Sequence, residues 1–266
     1  MSDSVLRELI ASYAQGASPE PIVDYLIAES RLPGPRANLE IGAAFATDVG
    51  ALLPVSRAVV LLEGLWIAAD RADTNDPRSF PVFAAAQAAG VCLTRADGDD
   101  RGRLLTMLRR AANDPRWRVR EGAAMGLQRV GDASFDGMID IARNWSEEAS
   151  LLELRAIVAA LAEPRLLNPD AVVKGWPFID LAMRRLVATP QEERRLDEFK
   201  ALRKGLGYAI SVLTAADPAG GFPRLAEWAN STDRDVVWVV RSNLKKKRLL
   251  THHPKETAVI EALMTQ

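Results

Sequence analysis

Asp114-Pro115-Arg116-Trp117-Arg118-Val119-Arg120-Glu121-Gly122-Ala123-Ala124-Met125-Gly126-Leu127-Gln128-Arg129 is the stretch whose reading decides the fold. Asp-Pro is a helix opening, because Asp caps free N–H groups and Pro fits the first turn. Val119, Ala123 and Leu127 recur every four residues, which draws one apolar stripe along a helix. Upstream, Leu104, Leu105, Met107, Leu108 and Ala111 form a second amphipathic helix that closes at Asn113-Asp114. One helical hairpin cannot bury its own apolar face, so the pattern has to return along the chain.

It returns. An apolar residue followed by Arg occurs again at Leu154-Arg155, Leu202-Arg203 and Val240-Arg241, and Val158, Leu206 and Leu244 follow three or four residues later. The Arg positions are 35, 48 and 38 residues apart, a spacing that fits degenerate helical pairs. Asp114, Val119, Arg120, Ala123 and Leu127 stand at the spacing of a HEAT repeat, which this segment resembles. The resemblance implies an all-α, HEAT/armadillo-like α-solenoid of about six helical pairs. The inner layer is expected to be helices 115–130, 148–163, 196–215 and 234–249. In such repeats the Arg commonly pairs with an acidic side chain of the next repeat, and this is the structural role expected of Arg120, Arg155 and Arg203.

No alternating β-branched run interrupts the helical patterns. The reading is therefore a single solenoid over 1–266, with acidic, degenerate helices in 1–98 and clearer repeats with a basic surface in 99–266. Residues 1–100 hold 7 Lys/Arg against 14 Asp/Glu and residues 101–266 hold 27 against 21, within a total of −1. That imbalance points to an anionic partner for the second half. Local signals place a cap at Asn38, a helix from Pro54 to about Asp70, a buried Ala-rich helix over 80–93, and a start near Ser146. They further place a cap and first-turn proline at Asn168-Pro169, a capping box at Thr189–Glu192, a loop at Asp217–Gly221 and a closing helix over 255–265.

Several chemistries have no residues to carry them. Cys92 is the one cysteine and sits between Val91 and Leu93, so it reads as a buried structural thiol. His252 and His253 are adjacent and cannot share a site from one helix, so neither a metal nor a cofactor is expected. Gly205-Leu206-Gly207 alone is too little for a nucleotide loop. The apolar stretch from Ala58 to Ala69 contains Glu63 and is shorter than the ~18–20 residues that span a bilayer. With no basic leader at the N-terminus, a cytoplasmic location away from membranes is expected.

What remains is a stripe. On a continuous helix 234–249, Trp238, Arg241, Lys245 and Arg248 lie within about 80° of one another. Trp117 and Arg120 hold the same relative places earlier. Aromatic and guanidinium groups on one face can stack on bases and pair with phosphates, and inner helices line the concave surface of a solenoid. Trp66, Trp145, Trp176 and Trp228 read as core. Arg101, Arg103, Arg109, Arg110, Arg116 and Arg118 read either as a basic patch or as a charged outer face.

Over its whole length the chain also resembles a group of bacterial HEAT-repeat proteins. The match is carried by Leu32–Arg36 with Asn38–Glu40, Asp114–Glu121, Glu163–Leu167, Leu206–Tyr208 and Trp238–Lys246. More distantly it is similar to the HEAT-like DNA glycosylases of alkylation repair, through its architecture and a few Trp, Arg and acidic positions. That likeness implies a catalytic candidate in Glu121, one turn after Trp117; the alternative is an exposed helix Glu paired with an Arg. Two functions follow: a non-enzymatic scaffold that holds a macromolecule, protein or DNA, in its concave groove, or a DNA-binding protein or glycosylase.

Overall fold

The computed structural model describes residues 4–68 and 72–264, and every regular element among them is helical. The Asp70 end expected for the Pro54 helix lies outside the described residues. The chain divides into two compact units, Met1–Ser134 and Phe135–Gln266. The boundary falls at the Ser134 turn, whereas the acidic-to-basic shift near residue 98 falls at the start of a helix inside the first unit.

The first unit contains α1 (Ser4–Ala14), α2 (Glu20–Ala28), α3 (Leu39–Leu52), α4 (Val55–Ala68), α5 (Phe80–Leu93), α6 (Gly98–Ala112) and α7 (Trp117–Ala133). α3, α5 and α7 pack side by side in one layer, and α4 and α6 cover them as a second. α5 is apolar all round because it is buried all round, with only Val91 reaching partial exposure. It crosses α7 at backbone distance: a Cβ on Gly90 would stand 2.0 Å from the Gly126 carbonyl oxygen, and one on Gly126 would stand 2.4 Å from that of Ala86. Only glycine permits this approach. Val119, Ala123 and Leu127, the stripe that decided the fold, are 0%, 0% and 1% exposed.

The second unit contains α8 (Phe135–Ser146), α9 (Leu151–Leu161), α10 (Pro169–Ala188), α11 (Asp197–Ala216), α12 (Pro218–Ala229), α13 (Arg234–Leu244), α14 (Lys247–His252) and α15 (Pro254–Leu263). α9, α11 and α13 form one layer, with α10 and α12 packed on it, α8 beside α10, and α14 and α15 closing the end. The repeated apolar residues Leu154, Leu202 and Val240 are fully buried in that layer. Each unit is thus a two-layer stack of helical pairs, the solenoid-like all-α class that the repeat implies.

Boundaries depart from expectation where a side chain found another use. Asp114 does not cap α7; its carboxylate accepts from the backbone N–H and the guanidinium of Arg116, at 2.9 and 2.7 Å, and the helix begins at Trp117. Ser146 ends α8. The helix after it starts at Leu151 under a capping box of Ser150 and Glu153. Thr189 closes α10, donating its hydroxyl to the Arg185 carbonyl, so the expected box at Thr189–Glu192 is absent. Asp217 caps α12, which starts at Pro218 in place of the expected loop. Asn38 and Asn168 cap as the sequence indicated.

Candidate functional site

The second unit builds an exposed face on α11 and α13, with α9 packed alongside α11. On α11, Lys200, Lys204 and Tyr208 follow at four-residue steps and all point to solvent. Gly205 and Gly207 flank that row, each against a neighbouring helix. The Arg155 side chain of α9 runs along Gly205, where a Cβ would lie 3.6 Å from its Cγ. The Trp238 ring of α13 lies on Gly207, where a Cβ would stand 2.8 Å from Cζ3. Gly205-Leu206-Gly207 is therefore a packing motif that makes room for an arginine stem and an indole.

Arg203 joins α11 to α13. Its guanidinium donates to Asp235 at 2.5 Å and stacks 4.6 Å from the centre of the Trp238 ring. This is the repeat-to-repeat pairing expected of the ladder arginines. Arg120 donates to the Asp114 and Pro115 carbonyls of its own turn at 2.8 and 2.9 Å. Asp235 is 2% exposed and is shared with Arg194, itself 8% exposed. Arg194 also donates to Asp233 at 2.7 Å and to the Val187 and Thr189 carbonyls, so it ties the end of α10 to the start of α13. Asp233 caps α13 through the Asp235 and Val236 N–H groups. Burial would raise its carboxyl pKa, but the Arg194 and helix N–H bonds outweigh that and hold it below the usual value.

The stripe Trp238, Arg241, Lys245, Arg248 is not the face of one helix. α13 ends at Leu244, Lys245 is its C-cap, and Arg248 belongs to α14. Asn243 accompanies the break. Fully buried, it accepts from the Ser211 N–H at 2.8 Å and donates to the Leu206 and Val239 carbonyls, pinning the helix end to α11. The Lys246 N–H then bonds the Asn243 carbonyl three residues back, and the chain turns. The turn delivers Arg248 onto Tyr208: its guanidinium stands 4.7 Å from the ring centre and donates to the phenol oxygen at 3.0 Å, while Lys246 Nζ lies 5.7 Å from the same ring. Arg248 Nη1 and Arg203 Nε are buried with no acceptor among the described residues.

Trp238, Arg241, Lys245 and Arg248 thus come from two helices and the turn between them, with Trp238 and Arg241 on α13, Lys245 at its C-cap and Arg248 on α14. Tyr208 joins them and was missed; its signal was its place one turn beyond Lys204 on the polar side of α11. Trp238 and Tyr208 remain 39% and 44% exposed. Two exposed acids, Asp197 and Glu198, lie at the start of α11 itself.

Trp117, Arg120 and Glu121 lie in the first unit, on α7. Trp117 is 43% exposed. Arg118 stacks on it at 4.3 Å but is itself buried, bonded to the Gly34 and Thr74 carbonyls and to Asn75, and burial lowers its pKa. Glu121 is half-buried and already engaged with the fold. The basic patch over 101–118 disperses into separate roles. Arg116 is buried on Asp114, Arg103 pairs with Glu63, Arg101 bonds the Leu93 carbonyl and Arg110 covers the Trp66 ring. Trp66, Trp145 and Trp176 are core; Trp228 is half-buried in the wall of a cleft of about 810 Å³ between α10 and α12, away from the α11 face.

Among the described residues no three His, Cys, Asp or Glu side chains are grouped to hold a metal, and no helix is long and apolar enough to cross a membrane. No family model matches the sequence, and no curated protein matches it. Among solved structures, a designed armadillo repeat protein aligns over 84% of this chain and 98% of its own, at 14% identity and a TM-score of 0.29; so low a score leaves the fold to rest on the helices themselves.

Proposed function

We propose that this protein is a non-enzymatic scaffold that takes an anionic macromolecular partner on the α11–α13 face of its second unit. The observation that carries the reading is the placement of Lys200 and Lys204 on α11, Arg241 on α13 and Lys245, Lys246 and Arg248 just after it, on or next to the helices that bear two half-exposed aromatic rings, while the buried carboxylate of Asp235 is taken up by Arg194 and Arg203. Cations so concentrated raise the local density of an anionic chain and speed its encounter. The glycosylase alternative would place its chemistry at Glu121 beside Trp117, in the other unit, where the neighbouring guanidinium is already bonded to backbone carbonyls.

Heparin, a polyanion without bases, tests the reading. Binding is expected at low salt and is expected to weaken steeply between low and moderate salt, because each neutralised charge releases a counterion. Arg241→Glu combined with Lys245→Glu should abolish it while the helical circular dichroism spectrum stays unchanged. Wild-type protein that binds no heparin at low salt would remove the proposal.

A further inference from the structure

Resting on that reading of the face, we infer that its partner is a single-stranded nucleic acid, whose unpaired bases stack on Tyr208 and Trp238 while the surrounding cations take its phosphates. The rings are mounted for this. Trp238 is seated on Gly207 and held by the Arg203 guanidinium; Tyr208 is held by Arg248, through both its ring and its hydroxyl. Both keep about two-fifths of their surface in water. A ring fixed before binding loses little rotamer freedom when a base covers it.

Phosphate partners stand beside each ring. Lys200 and Lys204 precede Tyr208 on its own row, and Arg241 on α13 and Lys245 at its C-cap follow Trp238. None of these four makes an ion pair with a described residue, whereas Arg203 beside Trp238, and Arg194 and Arg224 elsewhere in the unit, all do. The result is two flat rings on adjacent helices, each with two open cations in sequence beside it. Single strands present both phosphates and π-faces, and stacking on an aromatic side chain is tolerant of sequence. In a duplex the π-faces are already stacked inside, so the lysines would be used and the rings would not. An acidic protein segment would likewise use the cations alone.

The test is anisotropy of the full chain with three labelled probes at low salt: an oligothymidylate of about a dozen nucleotides, a duplex of the same length, and polyglutamate, with heparin as competitor. The single strand should bind about tenfold tighter than the duplex. Tyr208→Leu and Trp238→Leu should each weaken it by about tenfold, the scale of one lost base stack, and leave heparin affinity within about twofold. Trp238 also packs on α11, so its variant is judged only at an unchanged Tm; Tyr208→Leu, whose ring meets surface cations, is the independent arm. Equal affinity for duplex and single strand, with both ring variants silent, overturns the inference and leaves the anionic-partner reading standing. Polyglutamate bound more tightly than the oligonucleotide assigns the face to an acidic protein. A chain that binds neither these probes nor heparin defeats both.

Discussion

Asp233 shows how much a single side chain can hold. It caps α13, anchors Arg194 and so secures the neighbour through which Asp235 is shared. Its carboxyl is held below the usual range, so the stabilisation it provides is fully present above the ordinary carboxylate pKa of about 3.9 and is lost as pH falls through the lower folded-state value. Asp233→Ala should therefore cost about 1–3 kcal/mol at neutral pH, from the lost cap and the loss of one of the two carboxylates that pair with the buried Arg194 guanidinium. In urea melts the gap from wild type should narrow below about pH 4; a gap constant across that window would show that the charge is not what matters. The sequence analysis singled out neither the cap nor its partner, because nothing at Asp233 signals an arginine 39 residues earlier. Glycine 207 was equally opaque. Its role depends on what crosses it, and the indole that does so is 31 positions away in the chain.

Helices themselves were legible wherever an apolar stripe recurred at i, i+4 and i+8, because burial enforces that period. α7 is the clearest case, and Leu127→Ala is expected to cost roughly 2–4 kcal/mol through lost transfer energy and the cavity left behind. An unchanged denaturation midpoint would contradict the burial of that stripe. Helix ends were less legible. Asp114, Ser146 and Thr189 all have the chemistry of caps, yet the structure spends them on an arginine, on a preceding carbonyl and on a helix C-terminus. The break after Leu244 was hidden for a different reason: Lys245–Arg248 favours helix at every position, and the buried Asn243 bonds that accompany the break reach across to α11. Asn243→Ala should remove three buried hydrogen bonds, two of them to the α11 backbone. We expect a loss of about 1–3 kcal/mol, with faster amide exchange at Ser211 as the local readout; unaltered exchange there would speak against the pinning role.

At the scale of the molecule, the charge contrast of the two sequence halves does not survive division at the structural boundary. The first unit carries 15 Lys/Arg against 17 Asp/Glu and the second 19 against 18. Attraction for an anion is therefore local, set by which cations share the α11 face and which are absorbed in ion pairs. Arg184→Glu with Arg185→Glu changes the net charge by the same amount as the paired α13 substitution, but at α10. With a screening length of about 10 Å at 0.1 M salt, it should leave heparin affinity within about threefold, where Arg241→Glu with Lys245→Glu removes binding. Equal losses from the two pairs would show that overall charge governs. The sequence disclosed the Trp–Arg–Lys composition of this face; Tyr208 and the turn that brings Arg248 to it required the fold.

The contact of α5 with α7 through Gly90, Gly122 and Gly126 has a mechanical consequence. Where two helices touch through side chains, their separation can change by rotamer exchange, and the joint has some give. Where they touch backbone to backbone, nothing is interposed to rearrange. The first unit is rigid along that seam, like two beams laid directly together. In the α11–α13 contact of the second unit the Arg203, Trp238 and Asn243 side chains stand between the helices instead, so the spacing there is set by side chains and their bonds.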